Sequence, residues 1–269
     1  MSTLTVEELD SIIRALQVRY GLDFSNYEPV SLSRRVNRII AKYELENALG
    51  LWRKIIYDPA FIQCFVDETT VGLTEMFRNH DFWIKIRTDI IPAHKHKPDF
   101  AVWHAGCSTG EEAYSMAIVL EEEHPPVPAS LVATDINTAF LRSAEQARFS
   151  SIYQKTYAAN YAAAKGKKSL EAYYQLKGDE MVFDRSRHAI RFHQHNLVKD
   201  QMSATFDLIL CRNVMIYFDD ILKKRVLKLF YDCLPVGGYL AVGYYDTMPA
   251  DCKDMFQVYD ASCKIYRKI

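Results

Sequence analysis

Residues 102–115 read VWHAGCSTGEEAYS, and this stretch decides the fold. An apolar run closes on Gly106, and the chain passes through Gly110 into a segment with helical spacing. Glycines between a strand and a helix let the backbone approach a ligand at a helix N-terminus whose N–H groups are free. The pattern is G-x-x-x-G rather than G-x-G-x-x-G, so a tight turn without any ligand would explain the glycines as well. Residues 131–135, LVATD, extend the argument: Asp135 lies twenty-five residues beyond Gly110, at the carboxyl end of the next strand. There an acidic side chain can accept both hydroxyls of a ribose. Together, the loop and the acid point to adenosine.

Glu111 and Glu112 open the helix where a pyrophosphate would sit, and their charge would repel it. Glu112 suits instead the ammonium of the methionine tail of S-adenosylmethionine, so a methyl donor is favoured over a dinucleotide. Acidic residues in a first helical turn also stabilise the helix dipole, so the two glutamates do not decide the matter alone. Residues 206–220, FDLILCRNVMIYFDD, form a further strand that leaves the sheet as Cys211, Arg212 and Asn213 and continues through Tyr217 and Phe218 into a helix. Ligands of open α/β sheets lie at such strand ends. The segment lacks the proline-rich loop that clamps the planar amine of a nucleobase, which disfavours a nucleobase acceptor.

Outward from this centre, strands are expected near residues 100–104, 131–134, 206–210, 239–242 and 264–267, with helices at 111–122, 138–147 and 219–233. This alternation predicts a doubly wound α/β sheet. Residues 181–183 and 190–193 flank DRSRHA and are expected to pair as a hairpin on a small accessory element. Before residue 90 the pattern is helix after helix. Thr5 and Glu8 form a capping-box pattern, Leu9, Ile12, Leu16 and Tyr20 recur at helical spacing, and Gly21 supplies a stop. A second helix from about 32 to 43 sets Val36, Ile39 and Tyr43 against a basic stripe of Arg34, Arg38 and Lys42. The stripe is either a solvated face or a surface for an acidic partner. The segment HKHKPD (94–99) then breaks the pattern, which puts the domain boundary at 92/93.

Composition narrows the function classes. The 269 residues are 49% hydrophobic with a formal net charge of −1, which argues against a protein that grips nucleic acid through phosphate neutralisation. No apolar run is long enough to span a bilayer, and the N-terminus lacks the features of a secretion signal, so a cytoplasmic location is expected. Six cysteines without a C-x-x-C pair fit reduced, packed thiols, and no metal is expected.

The segments LTEMFR (73–78), AGCSTGEEAYS (105–115), ATDIN (133–137), HNL (195–197) and FDLILCRNVMIYFD (206–219) resemble, in the same order, the CheR family of chemotaxis receptor methyltransferases. The resemblance covers roughly residues 5–269. It implies a Rossmann-like S-adenosylmethionine-dependent methyltransferase domain (93–269), a small all-α N-terminal domain (1–92) and an antiparallel β-subdomain inserted at about 155–195. It also implies transfer of a methyl group to glutamate carboxylates on the cytoplasmic methylation helices of chemoreceptors, with S-adenosylhomocysteine as the other product. The enzyme would be a monomer recruited to receptor arrays. A cofactor-binding sensor without turnover, or a methyltransferase for another acceptor, are the alternatives.

Carried over residue by residue, the resemblance implies cofactor contacts from Thr74, Arg78, Glu112, Asp135, Asn196, Leu197, Arg212 and Asn213, beside Gly106 of the glycine loop read above. Arg78 and Tyr217 stand closest to the transferred methyl, and Arg34, Arg35 and Arg38 face the acidic receptor. Three departures stand out. Gly72 replaces the family's usual asparagine, so that contact is absent or replaced. Gly243-Tyr244-Tyr245-Asp246 replaces a G-H-S-E segment. Residues 175–181, QLKGDEM, form a shorter β-subdomain loop than in members that grip a receptor pentapeptide, so pentapeptide-independent action is expected.

Overall fold

The computed structural model describes residues 4–69, 72, 74–94, 97, 99–123, 129–185, 189–252 and 254–269. Four helices come first: α1 (Val6–Tyr20), α2 (Pro29–Lys42), α3 (Ala48–Tyr57) and α4 (Phe61–Thr69). Their ends are set locally. Thr5 and Glu8 close a reciprocal capping box on α1, and Gly21, at φ 65°, ends it in the left-handed conformation that glycine adopts without strain. The Glu28 carboxylate accepts from the amides of Val30 and Ser31 and so caps α2, with Pro29 at its first position. Leu9, Ile12, Leu16, Leu32, Val36, Ile39, Leu51, Ile55 and Phe65 make one core for this unit.

A helical rod follows, α5 (His80–Lys85) running through a π-helical turn (Ile86–Ile90) into α6 (Ile91–His94). Phe82, Trp83, Ile86, Ile90 and Ile91 are buried against the sheet core and not in the four-helix core. The packing therefore divides between the end of α4 and Met76, earlier than the 92/93 boundary read from the sequence. Part of the breaking segment HKHKPD lies outside the described residues.

The main sheet has seven strands: β1 (Ala101–Ala105), β2 (Ser130–Asp135), β6 (Ile190–Gln194), β7 (Leu208–Cys211), β8 (Tyr239–Val242), β9 (Phe256–Asp260) and β10 (Ile265–Lys268), in the order β6-β2-β1-β7-β8-β10-β9. The first five are mutually parallel, and β10 runs antiparallel to both β8 and β9. Helices α7 (Glu111–Glu123), α8 (Thr138–Gln146) and α10 (Asp220–Cys233) connect the strands, as the alternating pattern predicts. β9 was not anticipated. The order reverses between β1 and β7, which opens a crevice beyond their carboxyl ends.

A second, antiparallel sheet inserts after α8, from β3 (Arg148–Ser150), β4 (Tyr174–Lys177) and β5 (Glu180–Phe183), with α9 (Gln154–Ala163) between β3 and β4. β4 and β5 turn at Gly178 and Asp179, with Gly178 at φ 60°. The expected hairpin between residues 181–183 and 190–193 does not form. β5 pairs with β4 and β3, whereas β6 lies parallel to β2 and packs Ile190 and Phe192 on the core of the main sheet. The inserted unit therefore ends before β6 rather than at residue 195. No described helix is long and apolar enough to cross a membrane.

Candidate functional site

Four loops leave the carboxyl ends of β1, β2, β6 and β7 and converge on one cavity, closed on its far side by the helical unit. Phe24, Tyr27, Arg35, Thr74, Arg78, Gly106, Ser108, Glu112, Asp135, Asn196, Leu197, Arg212, Asn213 and Tyr217 all line it. Every residue expected to hold the cofactor, and both expected at the methyl, are thus brought to a single place.

The glycine loop is bent by necessity. Gly106 sits at φ 83°, and a Cβ there would fall 2.5 Å from Val214 Cγ2. The amides of Gly106 and Cys107 both donate to the Thr134 carbonyl, at 2.8 and 2.9 Å, which folds the loop back on β2. Asp135 fixes the geometry from the other side. Its Oδ2 accepts from the Ser108 amide and its Oδ1 from the Asn137 amide, both at 2.9 Å. Burial raises the Asp135 carboxyl above the usual range, and the bonds from Asn137 and Ser108 oppose the rise.

Across the crevice, Glu112 lies between two donors, with Oε1 3.0 Å from His104 Nδ1 and Oε2 2.9 Å from Arg212 Nη1. Burial would raise its pKa, but the hydrogen bond from His104 and the charge of Arg212 hold it below the ordinary value. The carboxylate is therefore ionised. Arg212 also donates to Asn79 Oδ1 at 2.6 Å and to the Arg78 carbonyl at 3.2 Å, and its guanidinium stands 4.2 Å from the centre of the Phe82 ring. The neighbouring Glu111 points elsewhere. It is buried beside Thr109 and Tyr157, and burial pushes its pKa up to about 7.

Asn213 adopts φ 62°, and its amide donates to Asp246 Oδ2 at 3.1 Å. The same oxygen accepts from Gly243 at 2.7 Å. The acid ending Gly243-Tyr244-Tyr245-Asp246 thus pins the loop after β7, a task that the sequence did not reveal. Asn196 is also structural in part, because its Oδ1 accepts from the Val198 amide at 2.9 Å. At the Gly72 departure, a Cβ would meet Phe140 Cζ at 2.9 Å, so the Phe140 ring occupies that space and lines the cavity.

Arg35 requires a correction. It was grouped with Arg34 and Arg38 as a docking residue, yet it is only 6% exposed while the other two are exposed. Its Nη1 donates to the Thr69 carbonyl at 2.5 Å and its guanidinium lies 4.3 Å from the Tyr217 ring centre. The signal was present: Arg35 shares the helical face of Leu32, Val36 and Ile39, all buried. Arg38 donates to the Glu68 carbonyl at 2.7 Å and Lys42 pairs with the Glu68 carboxylate at 2.5 Å. Phe24 and Tyr27, also in the cavity wall, carried no signal in the sequence.

The CheR methyltransferase all-alpha domain matches residues 7–70, and the CheR methyltransferase SAM binding domain matches residues 72–265. The chain belongs to the CheR methyltransferase family. Within this family it is 33% identical to a Pseudomonas putida protein named as methyltransferase Cher3, over 97% of this chain and 96% of the relative. It is 29% identical to the chemotaxis protein methyltransferase of Listeria innocua, covering 88% of this chain and 90% of that one. It is also 29% identical to chemotaxis protein methyltransferase 2 of Vibrio cholerae, over 85% and 81% of the two chains.

The site fits the S-adenosylmethionine of a CheR domain on its own chemistry. The Glu112–Arg212 ion pair sets an anion beside a cation, the complement of an amino acid's ammonium and carboxylate. Asp135, at the end of β2, offers a carboxylate for a ribose diol. The Ser108 hydroxyl, in the cavity wall, has no hydrogen-bond partner among the described residues. Those residues also include no cluster of three or more His, Cys, Asp or Glu placed to hold a metal ion.

Proposed function

We propose that the protein transfers the methyl group of S-adenosylmethionine to glutamate side-chain carboxylates of chemoreceptors, giving methyl esters and S-adenosylhomocysteine. The observation that carries this reading is the single cavity in which Asp135, Glu112 and Arg212 stand with Arg78 and Tyr217. The relatives named chemotaxis protein methyltransferase support the chemotactic setting. Bound there, S-adenosylmethionine supplies a methyl group made electrophilic by the attached sulfonium.

Glu112 and Arg212 hold the amino acid tail, and Asp135 the ribose. Gly106, Thr74, Asn196, Leu197 and Asn213 line the remaining wall, and Arg78 organises the side nearest the acceptor. A glutamate carboxylate is ionised at neutral pH, with a reference pKa of about 4.3, so the acceptor needs no general base. The task of the chain is to strip water from it and aim one oxygen. The Tyr217 hydroxyl orients that oxygen by donating to the carboxylate. Transfer to that oxygen would leave the electron pair of the broken carbon–sulfur bond on sulfur and would require no proton to move.

Arg34 and Arg38 support docking of an acidic receptor helix, since both are exposed on α2 beside the cavity wall that Arg35 enters. The two-residue turn between β4 and β5 supports action without a pentapeptide tether. The enzyme would work as a cytoplasmic monomer recruited to receptor arrays. The test is transfer of radiolabelled methyl to cytoplasmic receptor fragments, followed by mild base. Label released as methanol is expected. Cofactor binding with no such label would favour a sensor or another acceptor.

A further inference from the structure

Tyr217 is held from two directions that belong to different parts of the chain. From below, it ends a short helical turn after β7. From above, the helical unit reaches it through one backbone bridge, made by two hydrogen bonds, and one ring contact. Residues Tyr27 and Phe218 form an isolated antiparallel bridge, the Glu28 amide donates to the Tyr217 carbonyl at 2.9 Å, and the Asp219 amide donates to the Asn26 carbonyl at 2.9 Å. The Tyr27 and Phe218 rings meet edge to face at 5.2 Å. These contacts hold the backbone of Tyr217, and none of them touches its ring.

Arg35 governs the ring. Its guanidinium, 4.3 Å from the ring centre, is a planar cation against a π face, and its Nη1 is anchored on the Thr69 carbonyl at the end of α4. The residue is almost wholly enclosed, so it offers no face to a partner several ångströms outside the cavity. Burial lowers the pKa of the guanidinium and Tyr217 opposes that shift, while arginine remains charged at working pH. A buried guanidinium that lies against a tyrosine ring while one of its own nitrogens is held by a carbonyl restricts the angle at which the hydroxyl points.

We infer that Arg35 is a positioning residue for methyl transfer, acting through the ring of Tyr217, so that the all-α unit completes the reaction centre in addition to any docking role. This rests on the receptor-glutamate reading. It assigns Arg35 a part different from that of Arg34 and Arg38 on the same helix. Loss of an orienting contact should lower kcat and leave the affinities for receptor and cofactor in place. Loss of a docking charge should raise KM for the receptor and make it more dependent on salt.

The experiment is a cycle of Arg35→Ala, Tyr217→Phe and the double variant in the full chain, measured as label transferred to receptor fragments. Arg35→Lys serves as the conservative variant, and S-adenosylhomocysteine affinity reports an intact fold. Arg35→Ala is expected to lower kcat on the order of tenfold to a hundredfold, with KM for the receptor unchanged. In the Tyr217→Phe background, where no hydroxyl remains to be aimed, removing Arg35 should cost little more. Arg35→Lys should recover part of the loss. Equal losses in both backgrounds, or a rise in KM with kcat preserved, would overturn the inference and return Arg35 to docking. Loss of S-adenosylhomocysteine affinity in both Arg35 variants would overturn it in favour of a purely structural role. No label from the wild-type protein would instead overturn the receptor reading, and this inference with it.

Discussion

Arg212 Nη1 donates to Glu112 Oε2 at 2.9 Å and thereby joins the loop after β7 to the first turn of α7 across the mouth of the sheet. The Arg212 side chain is 3% exposed, so its buried charge is offset chiefly by that carboxylate. Glu112→Gln would leave a buried cation poorly compensated, at a cost of about 3 kcal/mol in denaturant unfolding. It should also weaken binding of S-adenosylhomocysteine in calorimetry. Unchanged affinity would mean that the ion pair does not face the ligand.

Glu111 should make stability pH-dependent. Its folded pKa, about 7, lies above the ordinary value of 4.5 because burial disfavours the charged form. The folded state therefore holds the proton more tightly than the unfolded chain. Its stabilising contribution is complete below about pH 4.5 and is lost as pH rises to about 7. Glu111→Gln should thus raise stability at pH 8 by up to about 3 kcal/mol and change little at pH 4.5. A gain of the same size at both values would rule out titration of Glu111 as the cause.

Asp135 is expected to matter to the cofactor more than to the fold. Asp135→Asn retains one oxygen for the loop amides but loses the charge proposed to face the ribose. Affinity for S-adenosylhomocysteine should fall on the order of tenfold to a hundredfold. The isotherm of the purified variant checks this, and a wild-type affinity would remove Asp135 from the ribose site.

Gly243 is sterically committed. A Cβ at this position would stand 2.6 Å from the Asn213 amide nitrogen and 2.8 Å from Asp246 Oδ2. Gly243→Ala should displace the Asn213 loop, lower stability by about 1–3 kcal/mol and reduce transfer. Full activity at wild-type stability would show that the Asp246 clamp is dispensable.

The parts of this architecture that the sequence made legible are those written in local chemistry. Gly106 and Gly110 mark the bend after β1, Asp135 marks the end of β2, and Arg212 and Asn213 mark the exit from β7. Capping by Thr5 and Glu8 marked the first helix. What escaped depends on pairing over distance. The strand at Ile190–Gln194 looks like half of a hairpin until the core under Ile190 and Phe192 is known, because a strand's own residues do not name its neighbour. Arg35 was misread for a different reason. Its charge outweighed its position on the apolar face of α2, where Tyr217 and the Thr69 carbonyl give it partners.

The proposed reaction requires that a glutamate carboxylate receive the methyl group. Tandem mass spectrometry of receptor fragments incubated with enzyme and S-adenosylmethionine locates the modification residue by residue. Methyl esters are expected on glutamates of the methylation helices, removed by mild base and reduced, though still measurable, when Tyr217→Phe replaces the wild-type enzyme. Methyl groups stable to base on lysine, arginine or another side chain, or a fully active Tyr217→Phe enzyme, would contradict glutamate esterification oriented by Tyr217.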